Sequence, residues 1–279
     1  MNNQNPNKCN PLGQNVPSTQ YYQQYNNKLL FPIPRMEKRL EIGIKNTIFF
    51  GIDIWNAYEV SWLNTKGKPV VAIAQFLFDA NSPYIIESKS FKLYLNSFNQ
   101  TKFISEQEVK SILEQDLSKA SNSQVRVKIN LPESFNNYKI NSPKGICLDR
   151  LDIEIEDYNP DSNLLIVDNQ SNVEEILYSD LLKSNCLVTG QPDWASIQIG
   201  YSGKAINQEG LLKYLIGFRN HQEFHEQCVE RIFFDILNQC QPLKLWVYAQ
   251  YTRRGGLDIN PFRTNINMAM PEFVRTARQ

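Results

Sequence analysis

The chain of 279 residues sets 29 Lys plus Arg against 29 Asp plus Glu and is 42% apolar, enough for one large domain or two of ordinary size, with no net field to hold a polyanion. Generic nucleic-acid or membrane-surface binding is therefore excluded, and no run approaches the ~18 apolar residues of a membrane span or a secretory leader. Five scattered cysteines (Cys9, Cys147, Cys186, Cys228 and Cys240) suit free thiols in a reducing compartment, and two histidines (His221 and His225) supply a zinc site poorly. A cytoplasmic protein without metal is expected.

Residues 1–35 form an Asn/Gln/Pro-rich arm that cannot build a core of its own and is expected to be mobile or to strap the first module. Residues 48–55 read as a buried strand and 58–63 as an alternating one. A turn at 64–69 leads into a partner strand at 70–78. A helix is expected to enter near residue 84, with Phe91, Tyr94, Leu95 and Phe98 inward. A second starts at Ser105, where Ser105 and Glu108 fit a capping box. Strands at 125–131 and 152–155 complete a first half of the order strand-strand-helix-helix-strand-strand. The second half repeats that order, with a strand at 194–201, helices at 211–218 and 224–237, a strand at 243–251, a turn at 252–256 and a strand at 257–265.

A shift of 120 residues sets Tyr94 on Tyr214, Leu95 on Leu215, Phe98 on Phe218, Val109 on Val229, Ile112 on Ile232 and Leu117 on Leu237. Apolar coincidences of that kind follow from helical spacing alone, but Glu106-Gln107 on Glu226-Gln227 does not. Two similar α+β modules in tandem are expected, 36–165 and 166–279, divided near 160–180 where Asn159-Pro160-Asp161 breaks the pattern.

The least scaffold-like stretch is Cys186-Leu187-Val188-Thr189-Gly190-Gln191-Pro192-Asp193-Trp194. Gly190 and Pro192 force a turn that would bring the thiol and the carboxylate to one cavity. A thiolate is a strong nucleophile even when little of it is ionised, and an acid beside it can orient it or return a proton. A lone cysteine beside Leu187 and Val188 is otherwise ordinary core. The remaining four cysteines have no turn-linked acid and are assigned to structure.

Four ordered blocks decide between these. Glu87-Ser88-Lys89-Ser90-Phe91-Lys92 through Asn99, the Cys186–Trp194 segment, Phe218-Arg219-Asn220-His221 through Glu226, and Tyr251-Thr252-Arg253-Arg254-Gly255-Gly256 through Pro261 together resemble the NADPH-dependent 7-cyano-7-deazaguanine reductases, in their long two-module form. The resemblance implies an α+β fold of tandem tunnelling-fold modules, each an antiparallel sheet with two helices on one face, assembled as a homo-oligomer, a dimer. It implies reduction of the nitrile of 7-cyano-7-deazaguanine to 7-aminomethyl-7-deazaguanine with two NADPH per turnover, in queuosine biosynthesis for tRNA, with a small molecule and no nucleic acid as direct partner.

On that resemblance Cys186 is the nucleophile that forms a thioimide and Asp193 the proton donor. Ile86, Glu87, Ser88, His225 and Glu226 contact the base, and Ser88, Lys89, Arg254 and Gly255 contact the cofactor. No G-x-G-x-x-G is present, so a Rossmann site is not the answer. Without the resemblance, Glu226 reads as a helix cap, Lys89 and Lys92 as a polar helix face, and Arg253-Arg254-Gly255-Gly256 as a solvated hairpin turn. Alternatives of other classes are a thioimide-forming nitrile hydrolase, a non-catalytic purine-like base-binding module, and a metal-dependent cyclohydrolase, the last disfavoured by the scarcity of histidine.

Overall fold

The computed structural model describes residues 21–269 and 274–279, so Cys9 and the arm before Tyr21 lie outside the described residues. In chain order the elements are β1 (Pro32–Pro34), α1 (Arg35–Glu41), β2 (Phe50–Leu63), β3 (Pro69–Asp79), β4 (Tyr84–Ile86), α2 (Ser88–Asn96), α3 (Glu106–Ser121), β5 (Val125–Asn130), β6 (Ile146–Cys147), β7 (Val167–Asn185), β8 (Pro192–Ile206), α4 (Gln208–Ile216), α5 (His225–Cys240), β9 (Lys244–Tyr251) and β10 (Leu257–Thr264). The fold is mixed α+β. Eight strands form one sheet in the order β5-β3-β2-β10-β9-β8-β7-β6, antiparallel throughout except where the short β6 joins β7, and β1 pairs with β4 as a separate ribbon.

Each helix pair covers its own core. Trp55, Phe76, Phe91, Tyr94, Phe98, Val109 and Leu113 pack under α2 and α3, and Ile197, Leu211, Tyr214, Phe218, Ile232, Phe233 and Val247 under α4 and α5. Apolar residues three and four apart give each helix one inward stripe, which is what makes these segments helical against a sheet. Helices α2 and α4 begin 120 residues apart at Ser88 and Gln208. The same wiring recurs in both pairs: the Tyr94 hydroxyl donates to Asp116 at 2.7 Å, and the Tyr214 hydroxyl donates to Asp235 at 2.6 Å.

Four expectations need correction. Residues 152–155 are not a strand: the segment runs as irregular chain, pairing with no strand among the described residues, and Ile153 packs on the core. The long β7, unforeseen in the sequence, pairs with all of β8; its polar residues and two register shifts, between Asp168 and Asn172 and between Ser179 and Leu182, break the alternation that marks a strand. The helix expected near residue 84 starts only at Ser88, because Tyr84–Ile86 pairs with β1 and Glu87 caps the helix through both carboxylate oxygens, accepting from Lys89 N at 2.9 Å and Ser90 N at 2.7 Å. The Ser105 cap forms, but Glu108 reaches back to Ile104 N–H at 2.6 Å, one residue before the position a capping box would use.

The described part of the arm is a strap. Tyr25 packs edge-on to Tyr94 and Phe98, and its hydroxyl donates to Asp116 at 2.7 Å. Strands β2 and β10 pair from Phe50 to Ala57 against Thr264 to Leu257, which makes one sheet of the two halves. Behind that seam lies a buried charge network. Arg35 and Arg263 both bond Asp53, at 2.6 and 2.8 Å, and Arg39 and Arg263 both bond Glu230, at 2.7 and 2.8 Å.

Candidate active site

Strands β7 and β8 form a hairpin whose last register pairs are Ser184 with Asp193 and Asn185 with Pro192, so the six residues between are a tight loop. Cys186 N–H donates to Gln191 O at 2.8 Å and Gly190 N–H to Cys186 O at 2.9 Å. Gly190 sits at φ +67, which glycine adopts without strain. Cys186 and Asp193 thereby reach one narrow cavity of about 20 Å³, together with Trp55, Ile85, Ile86, Glu87, Ser88, Glu223, Phe224, His225, Glu226, Arg254 and Ile259. The cavity straddles the seam: β2, β4 and the α2 cap come from the first half, the reactive groups from the second.

The segment before α5 is tied to the end of β7, Asn185 N–H donating to His221 O at 2.8 Å and Asn185 O accepting Glu223 N–H at 3.2 Å. That zipper sets His225 and Glu226 in the first turn of α5, facing the hairpin. His225 Nε2 lies 3.3 Å from Asp193 Oδ2, and its ring stacks on Tyr251 with centroids 3.9 Å apart. On the other side Arg254 Nη1 lies 3.1 Å from Asp193 Oδ1. Arg254 is presented by the β9–β10 turn, in which Gly255 and Gly256 take φ +61 and +70.

The four described cysteines are free, and the site cysteine differs from two others electrostatically. Burial alone would push the Cys186 thiol up. Hydrogen bonds from the Thr189 and Arg254 side chains and from the Thr189 and Val188 backbone outweigh it and hold the thiol below its ordinary value. With no such donors to offset burial, Cys240 is pushed up to about 11. Cys228, buried beside the Glu223 charge, is pushed to about 12. Glu226 is the opposite case. It is 3% exposed, its Oε1 has no hydrogen-bond partner among the described residues, and burial, then the Asp53 charge, raise its carboxyl above the usual range. Glu223, equally deep, is held low against burial by His221 and by Arg231, whose Nη2 donates at 2.6 Å.

The expected cofactor residues divide between two places. Ser88 and Arg254 line the Cys186 cavity, while Lys89 and Gly255 line an adjoining groove of about 380 Å³ with Tyr21, Glu59, Lys92, Asn96, Asn99 and Gly256. The groove fits a phosphate-bearing dinucleotide in its cations: Lys89 and Lys92 face it, and the two glycines let the turn pass close against Glu59 and Lys92 along its edge. Lys92 Nζ donates to Arg254 O at 3.3 Å and joins groove to cavity. Sequence reasoning passed over Thr189, although a threonine three residues past the cysteine in a glycine turn is a usual hydroxyl-to-turn arrangement. It gave Arg254 no part beside Asp193, a tertiary contact that no local spacing reveals.

A family model described as "Nitrile reductase, 7-cyano-7-deazaguanine-reductase N-term" matches residues 21–129, and one described as "QueF-like protein" matches residues 192–269. Curated proteins named NADPH-dependent 7-cyano-7-deazaguanine reductase from Cupriavidus necator and Ralstonia nicotianae are 60% and 59% identical over 96% of this chain and 98% of theirs. One of the same name from Polaromonas naphthalenivorans is 57% identical over 94% of this chain and 96% of its own. Among solved structures, an archaeosine synthase QueF-Like in the apo form is 14% identical with a TM-score of 0.30 over 34% of this chain and 92% of that one, too slight a likeness to bear on the fold. With relatives this similar over nearly its whole length, the chain belongs to the NADPH-dependent 7-cyano-7-deazaguanine reductase family.

Proposed function

We propose that the protein reduces the nitrile of 7-cyano-7-deazaguanine to the aminomethyl group, with two NADPH, as a step of queuosine biosynthesis. The observation that carries this is a thiol held low by directed donors within the same cavity as an acid and an unpartnered buried carboxylate. A nitrile accepts hydride poorly. Attack by the Cys186 sulfur on its carbon, with a proton passed from Asp193 to its nitrogen, gives a thioimide that is far easier to reduce. His225, braced on Tyr251, orients Asp193.

Glu226 accepts the N–H donors of the base's pyrimidine edge. Glu87 shares that work, since each of its oxygens spends one lone pair on the helix cap and keeps another. NADPH, lying along the groove of Lys89, Lys92 and Gly255, supplies hydride to the carbon that Cys186 activates. The cavity of about 20 Å³ holds little more than a water, so a flat base enters only as its walls part. The loop of Thr189 and exposed Val188 that carries Cys186 is the element beside the cavity least held by packing. Closure afterwards keeps water from the intermediates.

The repeated helix pairs, the matching Tyr–Asp contacts and the single sheet support tandem tunnelling-fold modules, 36–165 and 166–279, the first lacking the fourth strand that β10 supplies to the second. A homodimer is part of the same proposal.

Intact-protein mass spectrometry with the cyano base and no NADPH tests the reading. The expected result is one added base, absent in Cys186→Ala and retained in Cys228→Ala, followed by NADPH oxidation once the cofactor is given. An adduct that releases ammonia without consuming NADPH would make the protein a hydrolase, and no adduct at all would end the proposal.

A further inference from the structure

We propose that Arg254 is a catalytic residue of the covalent step, its guanidinium facing the two groups, the Cys186 sulfur and the Asp193 carboxylate, between which negative charge moves. This rests on the nitrile-reductase reading and goes beyond a phosphate contact for this side chain. Nη1 stands 3.1 Å from Asp193 Oδ1, Arg254 lines the same narrow cavity as the Cys186 thiol, and Asp193 and Cys186 are both buried. The backbone that presents this side chain is held in place: Arg254 N–H donates to Leu257 O at 2.9 Å and Lys92 Nζ to Arg254 O at 3.3 Å.

The chemistry explains why one cation should touch both partners. Addition to the nitrile needs a thiolate at Cys186 and a proton to deliver from Asp193. As sulfur bonds to the nitrile carbon, one C≡N π bond becomes the N–H of a thioimide, the proton comes from Asp193, and the charge that began on sulfur ends on the carboxylate. A cation against sulfur alone would hold the charge at its starting point and oppose the step; one against the carboxylate alone would keep the acid ionised. A planar fork fixed against both needs no reorganisation as the charge passes, which is how preorganised donors lower a barrier. A lysine, as a single point charge, cannot do this.

Peptide-resolved alkylation of Cys186 by iodoacetamide across pH tests the proposal in the full chain. Other charged groups face this thiol too: Lys92 and Glu87 from α2, Lys183 beside Asp193 from β7, and Glu223, His225 and Glu226 at the start of α5. The comparison between variants therefore decides, not the absolute midpoint. Arg254→Gln should move the midpoint up and slow alkylation at neutral pH roughly threefold to tenfold, the loss of thiolate being partly offset by its higher nucleophilicity.

Arg254→Lys, which also guards against a Gln variant that does not fold, should keep most of the alkylation rate yet slow thioimide formation with the cyano base. A Gln variant with the wild-type midpoint that raises only KM for NADPH would overturn the proposal, as would a Lys variant forming the adduct at the wild-type rate. If the wild-type chain alkylates as expected but takes no adduct, the nitrile-reductase reading falls and the charge transfer with it, while the hold of Arg254 on the thiolate stands.

Discussion

Glu226 is costly where it sits. A buried carboxylate whose Oε1 has no partner among the described residues carries a desolvation penalty that folding must absorb, and on the function proposed above a base with N–H donors would satisfy it. The sign of its titration follows. With a folded value raised above the ordinary 4.5, Glu226 favours the folded state most at low pH, and that contribution is lost as pH rises through the folded value. Glu226→Gln removes the titration while nearly preserving shape. The expected outcome is a gain of about 2–4 °C in Tm at neutral pH, together with roughly a 10–100-fold rise in KM for the cyano base. A variant that melts below wild type, or that binds the base as well, would show that the carboxylate is satisfied by something other than substrate. The identity of this residue was legible beforehand, through the family blocks. Its orphaned oxygen was not, because it depends on which donors the fold leaves out of reach.

At the scale of elements, the strap deserves separation from the core it crosses. Asp116 on α3 accepts the hydroxyls of Tyr25 and Tyr94 and, at 3.2 Å, the Asn27 amide, so one buried carboxylate fastens residues 21–31 to the helix pair. Tyr21 at the strap's start walls the cofactor groove. Asp116→Ala should abolish hydrogen-exchange protection over residues 21–31 and raise KM for NADPH severalfold, while thioimide formation proceeds at its usual rate. Unchanged protection would mean that the Tyr25 aromatic contacts suffice. Helices α2 to α5 were readable from their apolar period, and the start of α3 from its Ser105 cap, whereas the Glu87 cap that delays α2 was not. The strap's attachment, like the strand β7, depends on partners far along the chain: Tyr25 meets Asp116, and β7 tolerates bulges only because β8 pairs along its whole length. Local alternation at residues 152–155 promised a strand, but a strand needs a partner, and pairing is decided by the path of the chain and not by local alternation.

Across the whole molecule, the seam between the halves coincides with the buried network of Arg35, Arg39, Arg263, Asp53 and Glu230, none of which stood out in a sequence with balanced charge. Asp53 and Glu230 are both held below their ordinary values. Burial opposes this, but the adjacent guanidiniums of Arg263, Arg35 and Arg39 outweigh it. Each therefore contributes stability that is present above its unfolded value, 3.8 for Asp53 and 4.5 for Glu230, and is lost as pH falls through the depressed folded value. Acid should thus open the molecule at the seam first. Because Asp53 and Arg35 also bear on Glu226, the cavity carboxylate and the seam respond to one field. Glu230→Gln leaves three buried arginines sharing one carboxylate and should cost about 3–5 kcal/mol by urea denaturation at neutral pH, with a shallower decline below pH 4.5 than wild type. The exposed pair Lys38–Glu41 supplies the contrast: Glu41→Gln should change stability by no more than ~0.5 kcal/mol, because solvent screens it. Equal losses for the two variants would mean that the seam is held by the pairing of β2 with β10 and not by its charges.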